Sequence, residues 1–186
     1  MKLLIQEADL YSELEDFSRE KELLQSAYTI IDDTNNSEVK IELLQEYAKF
    51  SRINEDNPSD CLRFMKEAIE EYNRNPVLSK KRLGLLYFQT AQAYLALEKW
   101  DEALDYYLRS KPCWANNPIG QFRNFIADCR VFYCLKHGKA TLPEGYSLDT
   151  DDLIRDIKLK IGADETEVWL KKYGGKAAID SIRPFL

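Results

Sequence analysis

A regular return of small residues constrains this chain more than any other feature of its sequence. Ala8, Ala48 and Ala91 are separated by 40 and 43 residues, and Ala27, Ala68 and Ser110 by 41 and 42. Two independent series with one period describe a structural unit that recurs, and recurrence of this length belongs to stacked helical repeats. Large residues accompany the small ones. Residues 1–31 hold Ala8, Tyr11, Phe17, Leu24 and Ala27, and residues 38–72 hold Ala48, Ser51, Cys61, Met65 and Ala68. Residues 84–112 hold Ala91, Tyr94, Trp100, Ala103, Tyr107 and Ser110. Small residues let paired backbones approach, and the aromatic residues beside them fill the remaining space.

Within each unit the pattern predicts two amphipathic helices joined by a short turn. Leu86, Thr90, Ala91 and Tyr94 fall on one helical stripe. Asp16, Ser59 or Asp60, and Asp101 are the expected N-caps of the second helices. Pro76, Pro112 and Pro118 punctuate the connections between units, where a helix must stop. Beyond residue 118, Phe122, Phe125, Ile126, Cys129, Phe132 and Tyr133 predict a further helix over 119–137, closed by Gly138. A loop over 139–146 follows. Helices are then expected from Thr150 to Ile161, over 164–173 up to Gly174-Gly175, and over 176–182.

Composition agrees with helices. The 186 residues are 45% hydrophobic and 31% charged, with only 7 Gly and 6 Pro, too apolar for disorder and poor in turn formers. A net charge of −6 disfavours nucleic acid as a ligand. No apolar run approaches the roughly 20 residues that cross a bilayer, so no membrane association is expected. The N-terminus lacks the apolar region of a secretory signal. Cys61, Cys113, Cys129 and Cys134 show no framework spacing, and a reducing, cytoplasmic location is expected.

No catalytic signature emerges. The single histidine, His137, reads as a helix C-terminal residue favoured by the dipole. Cys129 and Cys134 lie about 140° apart around a helix, and Cys134 with His137 alone makes no zinc site. Asp32-Asp33 and Asp151-Asp152 fit helix ends, and Gly174-Gly175 matches no phosphate loop. Neither enzyme activity nor a cofactor or metal is expected. An enzyme site in the C-terminal region would have to draw on Asp164, Lys171, Lys172 and Tyr173, which no arrangement links.

The segment LYFQTAQAYLALEKWDEALDYYLRS, residues 86–110, resembles a tetratricopeptide repeat in its series of small and aromatic residues. The first unit departs from it at Glu20, where the family has a small residue; the second has Cys61 in place of alanine and a longer turn. The period exceeds the family's usual 34 and is similar to the long repeats of bacterial peptide-sensing regulators and kinesin light chains. The resemblance implies an all-α fold, an α-α superhelix of three repeats (about 1–37, 38–79 and 80–117). Residues 119–186 would form a degenerate fourth repeat and helical cap of the same domain.

It also implies a concave face, lined by the first helix of each repeat, that holds a protein or peptide. The residues expected there are Ile5, Asp9 and Ser12, then Gln45, Lys49 and Arg52, then Leu85, Phe88 and Gln92, with Arg123 and Arg130 on the fourth helix. Lys49, Arg52, Arg123 and Arg130 would form a basic strip, with Leu85 and Phe88 as apolar anchors; the alternative is that they are ordinary solvated helix charges. In family members that hold chaperone tails, Lys and Asn stand where this chain has Ile5 and Asp9, so chaperone-tail binding is not expected. The functional expectation is an adaptor or scaffold. The alternative is a peptide-sensing regulatory domain; because the chain opens inside its first repeat helix, that reading requires the chain to be part of a larger regulator. Trp114, Trp169 and Phe185, near expected breaks or ends, are available either to self-association through the solenoid ends or to plugging the last repeat.

Overall fold

The structure, a computed structural model, describes residues 1–75, 78–114, 118–149, 151–153, 155 and 180. Among the described residues the fold is all-helical, with no strand. Helix α1 spans Lys2–Glu13, α2 Phe17–Thr29, α3 Ser37–Ile53, α4 Pro58–Arg74, α5 Lys80–Ala96, α6 Trp100–Ser110 and α7 Pro118–Lys136. Short 3-10 turns at Ile31–Asp33 and Lys111–Cys113 follow α2 and α6. Helices adjacent in sequence pack together: α1 on α2, α3 on α4 and α5 on α6 as hairpins, with α2 on α3, α4 on α5 and α6 on α7 linking them. Both alanine series lie inside this packing. Ala8, Ala48, Ala91, Ala27, Ala68 and Ser110 are all buried.

The turns show why the spacing is so regular. Glu15, Asp56, Glu98 and Lys139 adopt positive φ angles of 59°, 47°, 56° and 55°. They stand 41, 42 and 41 residues apart. In every case the next amide N–H donates back to a carbonyl near the end of the preceding helix. Asp16 donates to Tyr11 at 2.9 Å, Asn57 to Ser51 at 2.8 Å, Lys99 to Tyr94 at 3.0 Å and Ala140 to Cys134 at 3.1 Å. Such bonds satisfy carbonyls that a helix end leaves orphaned.

Side-chain caps differ from turn to turn. The Asp16 carboxylate accepts from the Arg19 N–H at 3.1 Å, as its sequence position predicts. The second cap belongs to Asn57, which accepts from the Asp60 N–H at 3.1 Å, not to Ser59 or Asp60. Pro58 at the first helical position, where no N–H is needed, moves the helix start upstream. Asp101 is not a cap. α6 begins at Trp100, and the Asp101 carboxylate accepts from the Thr141 N–H at 3.1 Å. That bond fastens the loop after α7 to the start of α6.

Helix α7 departs from the pattern in its packing. Its turn closes over six residues as that of α3 does, and eight residues before Lys139 stands Val131, buried, where the place eight before Asp56 holds Ala48. Phe132 joins Phe125, Ile126, Cys129 and Leu153 in a second apolar cluster beside the main core. After the loop, Asp149 accepts from the Asp152 N–H at 2.9 Å through its side chain and from the Leu153 N–H at 3.0 Å through its backbone. It takes the capping place expected of Thr150. Pro76 and Thr150, most of the expected helix to Ile161, and the elements expected over 164–173 and 176–182 lie outside the described residues, as do Trp169 and Phe185.

A non-glycine residue with positive φ stores strain of roughly 1 kcal/mol, which glycine relieves at an entropic cost of similar size. Glu98→Gly is therefore expected to leave stability within about 1 kcal/mol of the parent, while the β-branched Glu98→Val loses at least about 1 kcal/mol more than the glycine variant. Urea unfolding of the pair checks this; equal stability of the two would contradict the left-handed turn.

Candidate functional site

Side chains from α1, α3, α5 and α7 meet along one side of the molecule. The Lys49 ammonium on α3 reaches Asp9 of α1 at 3.0 Å and Glu46 at 3.1 Å. From the same helix, the Gln45 amide donates to Gln89 of α5 at 2.7 Å. Arg82 of α5 returns to Gln45 and Glu38, each at 3.1 Å. Helix α7 completes the row against α5.

The expected groove residues divide into three groups. Ile5 is 3% exposed and belongs to the core, so it offers no binding surface. Its place three residues before Ala8 puts it on the buried stripe of α1 instead of beside it. Asp9, Gln45 and Lys49 are occupied with one another and with neighbouring helices, as described. Burial works against the Lys49 ammonium, but Glu46 and Asp9 outweigh it and hold its pKa above the ordinary value. Lys49 is thus a neutralised link in the expected basic strip. Arg52, Leu85, Phe88, Gln92, Arg123 and Arg130 form the third group, and the structure brings them to one groove.

That groove runs between α5 and α7. At one end a cavity of about 100 Å³ is lined by Leu85, Phe88, Trp114, Arg123 and Ile126. The Arg123 guanidinium lies over the Trp114 ring, 4.6 Å from its centroid. At the other end an open cleft of about 420 Å³ is lined by Arg52, Gln92, Leu95, Trp100, Arg130, Tyr133 and His137, among others. The lining residues step along both helices by three and four, as one face of a helix requires: 85, 88, 92 and 95 on α5, and 123, 126, 130, 133 and 137 on α7. Low numbers on α5 face low numbers on α7, so the two helices run in the same direction. The groove is about 16 Å long, from the rise per residue over 85–96.

An aromatic wall closes the cleft end. The Tyr133 and His137 rings stack at 4.9 Å and 8°, with Trp100 edge-on to both at 5.9 and 5.3 Å. Gly138 lets this wall form, since a Cβ there would stand 2.3 Å from the Trp100 ring. Nearby, the fully buried Tyr107 packs edge-on against Phe88 at 5.2 Å. Burial pushes the Tyr107 hydroxyl pKa up, while Arg130 and Arg52 pull it down. Both guanidiniums therefore lie within electrostatic reach of the same buried group.

Sequence reasoning left out Trp100, Tyr133 and His137 as groove residues, and Trp114 and Ile126 with them. Tyr133 and His137 are spaced for stacking on one helical face, which is a usable signal. The approach of Trp100 from α6 has no local one. Trp114 is buried, not exposed at a solenoid end.

Little else on the surface suggests chemistry. The four cysteines are free thiols, and burial pushes Cys134 up to about 12, far from the thiolate form that nucleophilic attack needs. Among the described residues no group of three or more His, Cys, Asp or Glu is placed to hold a metal ion. No described helix is long and apolar enough to cross a membrane. Comparison with protein-family models, curated proteins and solved structures finds no match.

Glu20, the departure from the repeat pattern in α2, is only 2% exposed. The Asn54 amide donates to it at 3.0 Å. Burial raises its pKa above the ordinary 4.5, more than Ser12, Lys49 and Asn54 lower it. A carboxyl raised on folding costs stability once it is ionised in the native state, so its contribution is most favourable below the unfolded-state pKa and declines as pH rises through the folded value. Glu20→Gln keeps an oxygen for Asn54 and removes the charge. It is expected to raise the melting temperature at pH 7 by a few degrees, with the gain fading below pH 4.5. A variant less stable at pH 7 would show that the hydrogen bonds and Lys49 outweigh burial.

Proposed function

We propose that this protein is a non-catalytic adaptor of the tetratricopeptide kind, and that it holds a protein or peptide segment along the face shared by α1, α3, α5 and α7. The α5–α7 groove carries this reading. It combines an apolar cavity large enough for part of a side chain with a wider polar cleft, and its long axis suits an extended segment. The recurring hairpins and the 41–42-residue spacing of their turns support the repeat-protein assignment. Neighbouring first helices in such a stack offer a continuous surface whose chemistry varies from repeat to repeat, a common basis for peptide recognition. Lys49, tied to Asp9 and Glu46, serves the joint between α1 and α3 and not the ligand.

Selection from a random-peptide display library, followed by hydrogen–deuterium exchange with the selected peptides, tests the proposal. The expected result is enriched peptides that slow exchange over 85–96 and 123–137. Failure to enrich any peptide, or protection confined to α2, α4 and α6, would overturn it.

A further inference from the structure

The two ends of the α5–α7 groove differ in chemistry, and that difference defines a ligand. At the first end, Leu85, Phe88, Trp114 and Ile126 surround a small apolar cavity. At the second, the lining holds two arginines, Arg52 and Arg130, against one carboxylate, Glu98. The protein as a whole has 32 acidic and 26 basic residues, so a cationic cleft runs against its overall charge.

Some of the chain's cations are already paired with carboxylates. Lys49 pairs with Asp9 and Glu46, Arg82 with Glu38, Arg109 with Asp105 and Lys111 with Asp128. Arg52 is exposed and has no carboxylate partner among the described residues. It faces the cleft from α3 while Arg130 faces it from α7, so the two guanidiniums converge from different helices. Guanidinium groups fixed in this way favour carboxylates through charge-assisted, often bidentate hydrogen bonds. The flat Trp100, Tyr133 and His137 rings bound the same space.

We propose that the groove recognises an acidic peptide segment of a partner protein, with an apolar side chain in the Leu85–Phe88–Trp114–Ile126 cavity and carboxylates at Arg52 and Arg130. The inference rests on the adaptor reading and gives its ligand a chemistry. The groove's length of about 16 Å holds about five residues of extended chain, so the apolar anchor precedes or follows the acidic pair within that span. Long-range repulsion from the acidic surface slows the approach of such a peptide, and the local cationic cleft supplies the selectivity.

The probe is a fluorescein-labelled nine-residue peptide with phenylalanine second and glutamates fifth and sixth, the other positions being serine and alanine. Companion peptides replace the glutamates with lysines, reverse the order of the sequence, or replace phenylalanine with alanine. Fluorescence anisotropy is read at low and high salt on the full chain. The expected result is binding by the glutamate peptide in one of its two orders, weakened at least about tenfold by the lysine exchange and weakened again by salt. Loss of phenylalanine also weakens it. Arg52→Glu, checked for an unchanged thermal melt, lowers affinity for the glutamate peptide at least about tenfold and raises it for the lysine peptide. This reversal cannot arise from misfolding.

Equal binding of both charges, or indifference to Arg52→Glu, overturns the inference. Display-selected peptides that protect the groove but carry no acid overturn it too, and leave the adaptor reading standing. Absence of any groove-binding peptide removes both. A dimer in sedimentation that Arg52→Glu dissolves makes a second copy the occupant, and likewise overturns the proposal.

Discussion

A backbone hydrogen bond, closed over one left-handed residue, ends α1, α3, α5 and α7 alike. The amides of Asp16, Asn57, Lys99 and Ala140 reach back to carbonyls five or six residues earlier, past Glu15, Asp56, Glu98 and Lys139. The reversal this produces sets the second helix of each hairpin against the first, at a distance the buried alanines allow. Once that reversal is repeated at intervals of 41 or 42 residues, the first helices come to share one side. The cross-helix bonds of Lys49, Gln45 and Arg82 follow from that alignment, and so does the α5–α7 groove.

The fourth turn keeps the hydrogen bond but not the alanine. Large residues of α7, Phe125, Ile126 and Phe132 among them, reach a separate cluster with Leu153. The loop after Lys139 is held to α6 by the Asp101–Thr141 bond. Near the same end, Gly138 admits Trp100 against Tyr133 and His137. The cleft is therefore assembled from the departures of α7 from the earlier hairpins as much as from the repetition itself.

The period, the helical hairpins and most of the core were legible in the sequence, because small and aromatic residues at fixed spacing leave few other ways to be buried. The turns were less so. Their left-handed residues are Glu, Asp and Lys, which carry no signature comparable to glycine, and Asn57-Pro58 competes with Ser59 and Asp60 for a cap that backbone geometry decides. Ile5 shows the limit of helical phase. One residue of rotation separates groove from core, and spacing alone does not resolve it. Glu20 was visible as an anomaly, but its burial against Asn54 depends on the contact between α2 and the end of α3. Third-helix partners such as Trp100, and the neutralisation of Lys49 by an acid 40 residues away, are tertiary facts with no local trace.

Both the groove and its proposed ligand depend on the alignment of α5 with α7. A methyl NOE spectrum of protein labelled at isoleucine, leucine and valine methyl groups measures it directly, because Leu85 and Ile126 line one cavity from the two helices. A cross-peak between Leu85 and Ile126 is the expected result. Its absence in a spectrum that shows the core contact between α3 and α4 would separate the helices and contradict the groove.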